Sequence, residues 1–521
     1  MSLIFSVMIY LIGCGENRPD ETSALLPNYI TVEGNRFIDD QGRQVILNGF
    51  NVVNKSKEDN YLFEGGPEFY ANLKAWGVNC IRFIIIWDGL EPEPGAYNEQ
   101  YLSEIDKRIQ WAGDNDIFVV LDMHQDLFSV KYSDGAPEWA TLDENKPHQQ
   151  GDIWSEAYMI SEAVQTSFDN FWTNQPAPDG IGVQDHYANL WKYLATRYRN
   201  NATVIGYDIM NEPFPGSSAL EGVSKFLQAY GGLVYQLTGE VMSEEELATA
   251  WSTDNRTTAL SHLSTKDNYS QVIHAVQEFN QTFDQQHLMP MYQKVSEAIR
   301  EVDTSKVIFL EHSYYSNIGV SSGIKRVRLA NGQPDPKVAY APHAYDLVTD
   351  TKDATASESE RVAFIFESIS EKARELNMPV WLGEWGAYYN LGPGIVPVAQ
   401  YAIHLMEQYL FGHAYWSYHS EMENLNYFKQ ALLRPYPAYV NGQLENYQYD
   451  FESGEFSVRW SEGESNASTL IYFPELSRLD NDQLASQSLE VQTIAGSDAG
   501  WVIVAAEHPG KRHLDFSLSK Q

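Results

Sequence analysis

Eight short runs of branched and aromatic apolar residues, at 45–53, 80–87, 118–124, 204–212, 307–312, 338–345, 380–386 and 413–419, punctuate this chain. Stretches with helical spacing of apolar residues, at 67–76, 100–115, 184–198, 288–302, 358–376 and 396–409, fill gaps between them. Strands that alternate with helices pair in parallel, because the intervening helix returns the chain to the same end of the sheet. Eight such units predict an α/β fold, a closed (β/α)8 TIM barrel carrying insertions. The alternative is a doubly wound open sheet. No Gly-X-Gly-X-X-Gly follows the first run, which removes the nucleotide-binding signature of that fold.

From about residue 439 the pattern changes to short alternating runs such as Phe456-Ser457-Val458-Arg459-Trp460 and Trp501-Val502-Ile503-Val504. These predict a C-terminal antiparallel β-sandwich, with 461–468 as a loop between two of its strands. The expected division is a leader and linker over 1–27, a barrel over 28–437 and a sandwich over 438–521. One long irregularity, 214–286, separates the fourth and fifth barrel runs. It follows a strand end and so belongs to the face on which such barrels build their sites. Its stripe of Leu220, Val223, Phe226, Leu227, Tyr230, Leu233 and Val234 at helical spacing is expected to pack on the barrel, with a lid or lipid-facing role as the alternative.

The 521 residues carry 35 Lys and Arg against 71 Asp and Glu, a formal charge of −36, and nucleic acid is excluded as a partner. An apolar content of 43% excludes a disordered acidic chain. Aromatic residues reach 13%, which suits stacking on sugar rings as well as a filled core. The two cysteines cannot build a disulfide framework. Cys80, inside an apolar run, is expected to be a small buried hydrophobe. Cys14 ends Leu11-Ile12-Gly13-Cys14, which resembles a bacterial lipobox, although no Lys or Arg precedes the apolar stretch. The body of the chain is expected to be exported, secreted or anchored to a membrane through a lipidated Cys14, and to act as a monomer. No later run reaches the roughly 18 apolar residues of a membrane span.

Two barrel runs end in a glutamate: Tyr207-Asp208-Ile209-Met210-Asn211-Glu212-Pro213 and Val380-Trp381-Leu382-Gly383-Glu384-Trp385-Gly386. A glutamate is ordinarily solvated, but at the end of a buried strand that expectation reverses. On the fourth and seventh strands both would face the barrel mouth. Paired carboxylates at one cavity are what glycoside hydrolysis requires. Burial beside an anion would raise Glu212, suiting an acid, while a nucleophilic Glu384 needs a cation to stay ionised, and Arg82 is the available one. His124-Gln125-Asp126 and His343-Ala344-Tyr345 offer metal ligands, but neither His-Glu-X-X-His nor a cysteine cluster occurs, and no metal or cofactor is expected. No Gly-X-Ser-X-Gly elbow supports a serine nucleophile.

These residues resemble glycoside hydrolase family 5, whose shared set is matched in chain order by Arg82, His124, Asn211, Glu212, His343, Tyr345, Glu384 and Trp416. A lone His124 or His343 would ordinarily be a satisfied core histidine, but eight matches in order outweigh that. The resemblance implies Glu212 as acid/base and Glu384 as nucleophile. It implies that Asn211 bonds the sugar 2-hydroxyl, Tyr345 and Arg82 hold the nucleophile, and Trp416 floors the −1 sugar. Leu121-Asp122-Met123-His124-Gln125-Asp126, Gly135-Ala136-Pro137-Glu138-Trp139-Ala140-Thr141, the stretch 207–214 and Leu433-Arg434-Pro435-Tyr436-Pro437 are similar to the endoglycoceramidase subfamily, which releases ceramide from glycosphingolipids with retention. By the same resemblance Lys57 and Asp126 would bind sugar, with Lys55 competing for the first place. A groove for the acyl chains would draw on Leu127-Phe128, Tyr314-Tyr315 or the stripe of the insertion. Other family 5 β-glycosidases, on glucan, mannan or steryl glucoside, are the alternative, and a non-catalytic glycolipid-binding lipoprotein is a second. The insertion 214–286 departs from the subfamily.

Overall fold

The computed structural model describes residues 25–519 apart from 253, 254, 350, 352 and 390. Cys14 lies outside the described residues. Eight parallel strands run in chain order around a barrel: Asn48–Val52, Cys80–Ile86, Phe118–His124, Val204–Asp208, Val307–Leu310, Val338–Tyr340, Trp381–Leu382 and Gly412–Tyr415. The ring closes between the sixth and seventh strands. Tyr340 bridges Val380, and His343–Ala344 pairs in parallel with Glu384–Trp385. Closure removes the open-sheet alternative and leaves no edge strand to protect.

Successive side chains of a strand point to opposite faces, and the lower halves of the strands exploit this. Ile81, Phe83, Ile85, Val119, Leu121, Met123, Ile308 and Leu310 join the core beneath the surrounding helices. Cys80, Phe118, Val120, Phe309, Ala339, Trp381 and Ala414 form a second core inside the barrel, and the rings of Phe309 and Trp381 meet at 5.4 Å. Cys80 is a buried free thiol. Two residues further along the same inward rows stand Arg82, Asp122 and Glu311, with His343 four past Ala339, where the interior turns polar.

The helices follow local rules. Glu99–Gly113 begins at Asn98, whose side chain accepts from the Tyr101 N–H, a cap worth about 1 kcal/mol, and it buries Leu102, Ile105, Ile109 and Ala112 at helical spacing. The insertion opens with the 20-residue helix Ala219–Thr238, ended by Gly239 at φ 78°, and continues as short helices to Phe283. Tyr230, Leu233 and Val234 of its stripe are buried and Phe226 and Tyr230 pack on Trp251, whereas Leu220 is exposed. The insertion is fastened over the barrel mouth, with Tyr269 donating to the Ile318 carbonyl at 2.8 Å and Tyr315 to that of Ala219 at 2.7 Å.

At the opposite end, the long strand Tyr436–Tyr449 pairs antiparallel with Thr469–Phe473 through its first half and with Glu455–Glu462 through its second. Lys511–Ser517 extends one layer, and Gly500–Val504 with Glu490–Thr493 the other. Phe456, Phe473 and Phe516 pack between the layers with ring centroids 5.1 to 6.3 Å apart. Three strands that precede the barrel in sequence, Ile30–Glu33, Arg36–Asp39 and Arg43–Val45, join this sheet, the last pairing antiparallel with residues 439–442. They seal the barrel floor, where Phe37 stacks against Phe309 at 6.1 Å. Tyr436 and Tyr472 donate to the carbonyls of Gly77 and Ala75 at 2.6 and 2.7 Å, tying the sandwich to the barrel. Among the described residues, no helix is long and apolar enough to cross a membrane.

Candidate active site

The polar layer inside the barrel is organised by Arg82 on the second strand. Its Nη1 donates to Glu384 at 2.8 Å and to Asn51 at 3.1 Å, and its Nε to Asp208 at 2.8 Å. Nη2 donates to Glu311 at 2.6 Å and to Asn211 at 3.0 Å, and lies 2.9 Å from Asp122. One guanidinium therefore serves four carboxylates, all within the barrel and all buried. Such a group cannot ionise completely. Burial pushes Asp122 and Asp208 well above the usual carboxylate range against the pull of Arg82.

Glu212 and Glu384 meet at the mouth. A carboxylate oxygen of each and a ring nitrogen of His343 all lie within 4.8 Å of one another. Tyr345 donates to Glu384 Oε2 at 2.8 Å, and Asn317 donates to Glu212 Oε1 at 2.6 Å. His343 Nδ1 lies 2.9 Å from Glu212 and 3.6 Å from Glu384. Burial by itself favours a neutral imidazole, but Glu311, Glu384 and Glu212 raise His343 well above its ordinary value, so it is a cation. Glu384 departs from the sequence expectation. Burial lifts it to about 7, with Glu212 and Glu311 adding to the rise, and His343 and Arg82 only moderate it. The reason is that burial and the neighbouring anions Glu212 and Glu311 outweigh the attraction of His343 and Arg82 at this carboxyl.

Glu212 lies four residues past the end of its strand, with a left-handed backbone at φ 43°. A non-glycine residue in that conformation carries strain of about 1–3 kcal/mol and persists only where its surroundings fix it. Its N–H donates to Glu311 at 2.8 Å, and its carbonyl accepts from Gln125 at 3.3 Å.

The other sequence-derived residues divide. His124, on the third strand, places Nδ1 2.8 Å from Asp122 and stacks on Trp416 at 5.2 Å. Burial and then Lys55 lower it to about 3, so it is neutral. Asp126 is bonded by Lys55, whose ammonium also lies over the Trp416 ring at 4.7 Å and 3.9 Å from Asp134. Although burial opposes it, Lys55 and His124 hold Asp126 at about 2, while burial lifts neighbouring Asp134 to about 7. Asn211 accepts from Arg82 and donates one amide hydrogen to the Gln125 carbonyl at 3.1 Å, which leaves the other for a ligand. Lys57 is a correction: it points away, 62% exposed, and pairs with Asp88 at 2.8 Å. Lys55, two residues earlier, is the lysine that reaches the site. Leu127 and Phe128 are a second correction, since both are buried in the core and line no part of the cavity.

A cavity of about 1020 Å³ opens above the two glutamates. Lys55, Asp126 and Trp416 form one connected part of its lining. Tyr314, Tyr315, Met159 and Ile318 form another, reached from Glu212 through Asn317, and the insertion contributes Trp251 and Arg256. Asp122, Asp208 and Glu311 form no motif of their own in the sequence. The available signal was their place on inward rows, or at the end, of buried strands. The same three acids, the set Glu212, His343 and Glu384, and the set His124, Asp126 and Asp134 are each close enough to chelate a cation. In the first set Arg82 already supplies the positive charge, in the second His343 does, and in the third Lys55 does. This donor chemistry does not call for a metal.

The family described as cellulase (glycosyl hydrolase family 5) matches residues 38–422, and the glycoside hydrolase family 5 C-terminal domain matches 434–514. The chain is 31% identical to an endoglycoceramidase of Cyanea nozakii over 230 residues, 38% of this chain and 43% of that enzyme, so the match spans less than half of the relative. It is 23% identical to endoglycoceramidase I of Rhodococcus hoagii over 92% of this chain and 88% of the other. The solved endo-glycoceramidase II from Rhodococcus sp. superposes with a TM-score of 0.69 at 24% identity, over 95% of this chain and all of the other, a likeness of fold.

Proposed function

Because this chain belongs to glycosyl hydrolase family 5, we propose that it is a retaining endo-β-glycosidase that releases ceramide from glycosphingolipids, with Glu384 as nucleophile and Glu212 as acid/base. The observation that carries this reading is the approach of the two carboxylates to within 4.8 Å. Retaining enzymes hold their pair about 5–5.5 Å apart, too close for a water to stand between them as inversion requires.

In the first step the Glu384 carboxylate bonds to the anomeric carbon. The bond to the ceramide oxygen breaks as Glu212 gives that oxygen its proton. In the second, Glu212 takes a proton from water, the water oxygen bonds to the anomeric carbon, and Glu384 leaves as a carboxylate. Tyr345 and Arg82 orient Glu384, and cationic His343 stabilises whichever glutamate is anionic. The free amide hydrogen of Asn211 is directed to the sugar 2-hydroxyl, Trp416 floors the −1 sugar, and Lys55 with Asp126 takes further hydroxyls. The apolar wall around Tyr314, Tyr315 and Met159 receives the lipid. The glycosphingolipid assignment draws support from the relatives named endoglycoceramidase, one of which is solved as a ganglioside GM3 complex and as a lactosyl-enzyme intermediate. Export, with anchoring through a diacylglyceryl Cys14, belongs to the same proposal and rests on the lipobox-like tetrapeptide; a mature protein beginning at unmodified Met1 overturns it.

Product analysis by mass tests the activity. With a ganglioside, lactosylceramide, a cello-oligosaccharide and a steryl glucoside as substrates, intact oligosaccharide plus ceramide is the expected outcome. Turnover of the cello-oligosaccharide or the steryl glucoside alone overturns it in favour of another family 5 glycosidase. Binding without turnover of any of them favours a glycolipid carrier.

A further inference from the structure

We propose that Glu311, at the end of the fifth barrel strand, is a positioning residue that aims the Glu212 carboxyl at the leaving oxygen. The inference rests on the assignment of Glu212 as acid/base. Both carboxylate oxygens of Glu311 are engaged. Oε1 accepts from Arg82 at 2.6 Å, and Oε2 accepts the N–H of Glu212 at 2.8 Å while facing His343 Nε2 at 3.3 Å. His343 presents its other nitrogen to Glu212 Oε1 at 2.9 Å. A single oxygen of Glu311 thus acts on Glu212 at both ends, on the main chain by a hydrogen bond and on the carboxyl through the imidazole, whose Nε2 it meets at ion-pair distance without a hydrogen bond. The grip falls on a non-glycine residue at φ 43°, a conformation that relaxes unless it is held. The barrel ladder does not need Glu311, because strand pairing between the fourth and fifth strands runs from Gly206–Val307 to Asp208–Phe309 and ends below it.

Glu311 is faced by Arg82 from the second strand, Asp122 from the third, Asp208 from the fourth, His343 from the sixth and Glu384 from the seventh, and Tyr292 donates to its main-chain carbonyl at 3.1 Å. Although burial opposes ionisation, His343 and Arg82 hold its carboxyl at about 2, so it is a fixed negative charge at any working pH. That charge raises both His343 and Glu384. Its removal lowers the pKa of both neighbours, so His343 gives up its proton at lower pH and the basic limb of the rate profile moves down.

The test compares Glu311→Gln, Glu311→Asp and Glu212→Ala on lactosylceramide, whose leaving alcohol needs a proton, and on 2,4-dinitrophenyl β-lactoside, whose leaving group does not. Glu311→Gln is expected to lose about 100-fold in kcat/KM on lactosylceramide but less than about 5-fold on the dinitrophenyl substrate, with the basic limb shifted down by about one pH unit. Glu311→Asp keeps the charge but withdraws it by one methylene, so it should show the same leaving-group dependence without the shift. Equal losses on both substrates overturn the inference; if Glu311→Gln does not fold, Glu311→Asp alone decides by the same criterion. Absence of leaving-group dependence in Glu212→Ala overturns the acid/base assignment itself, a separate failure.

Discussion

The two halves of the barrel interior are built on the same inward rows and follow opposite rules. In the lower half Cys80, Phe118, Val120, Phe309 and Trp381 fill the barrel with carbon, and Phe37 from the N-terminal strands closes it from below. Two residues higher on three of these strands stand Arg82, Asp122 and Glu311, and with Asp208 and His343 from neighbouring strands they fill it with charge. The lower layer is stabilised by removal of apolar surface from water, about 25 cal/mol per Å². The upper layer gains little from burial itself, because desolvating ions offsets much of their mutual attraction. What it provides is a fixed field around Glu212 and Glu384. The lesson is that stability and chemistry are separated along one strand direction, a step of two residues apart.

The largest test of that separation is Glu384→Gln, which should lower turnover by about 10^4-fold or more while leaving the unfolding midpoint within a few degrees, because an amide cannot attack the anomeric carbon. Near wild-type rates refute the nucleophile assignment. Arg82→Met removes the cation from four buried acids and is expected to cost about 3–5 kcal/mol in urea unfolding along with activity. A loss below about 1 kcal/mol would mean the acids become neutral by taking up protons without it.

Phe309→Ala carries the complementary expectation, a loss of about 3 kcal/mol from an unfilled cavity in the lower layer, with kcat per folded molecule falling less than about 5-fold. A larger fall would show that the floor shapes the mouth after all.

Stability should also depend on pH in a direction set by the buried acids. Burial raises Glu384, Asp134 and Glu407 to about 7 and Asp284 to about 6. Between about pH 4.5, where these groups ionise in the unfolded chain, and about pH 7, the folded protein holds more protons, so unfolding free energy falls as pH rises. Asp126 and Glu311, both held at about 2, act the other way, and their contribution is lost as pH falls from about 4 toward 2. His124 and His312, which burial lowers to about 3, oppose the fall in the first window. The check is therefore chemical unfolding of the protein and of Glu407→Gln at pH 5 and 7: the variant should lose part of the fall with pH, and an unchanged slope contradicts the raised value of Glu407. The smallest effect belongs to Lys57→Ala, expected to change kcat/KM by less than about 2-fold, since an exposed ion pair with Asp88 contributes about 0–1 kcal/mol. Lys55→Ala should cost about 10-fold through KM, as loss of a charged hydrogen-bonder to sugar would. The reverse order would restore Lys57 to the sugar site.

Much of this was legible in the sequence because it is local. Each barrel strand is an apolar run of a few residues, and Glu212 and Glu384 stand out as acids where such runs stop. The acids around Arg82 obey the same signal, for Glu311 directly follows Val307–Leu310, but nothing in the sequence says that their inward rows converge on one guanidinium. Lys55 and Lys57 lie on the same short loop with the same chemistry, and only the fold sends one to Asp126 and the other to Asp88. The strands 30–45 are contiguous with the barrel in sequence, yet they pair with a strand some 400 residues away, a partnership that no periodicity reveals.

The sequence by itself therefore determined the barrel, the terminal sandwich, the two facing glutamates and the acidic surface, because hydrophobic period and strand-end position are properties of neighbouring residues. Tertiary structure alone decided which lysine enters the site, what grips the strained Glu212, and that Glu384 is raised instead of held down. Those outcomes depend on distances among charges drawn from six different strands and one loop, and the balance between desolvation and attraction at such distances has no counterpart in the linear chain.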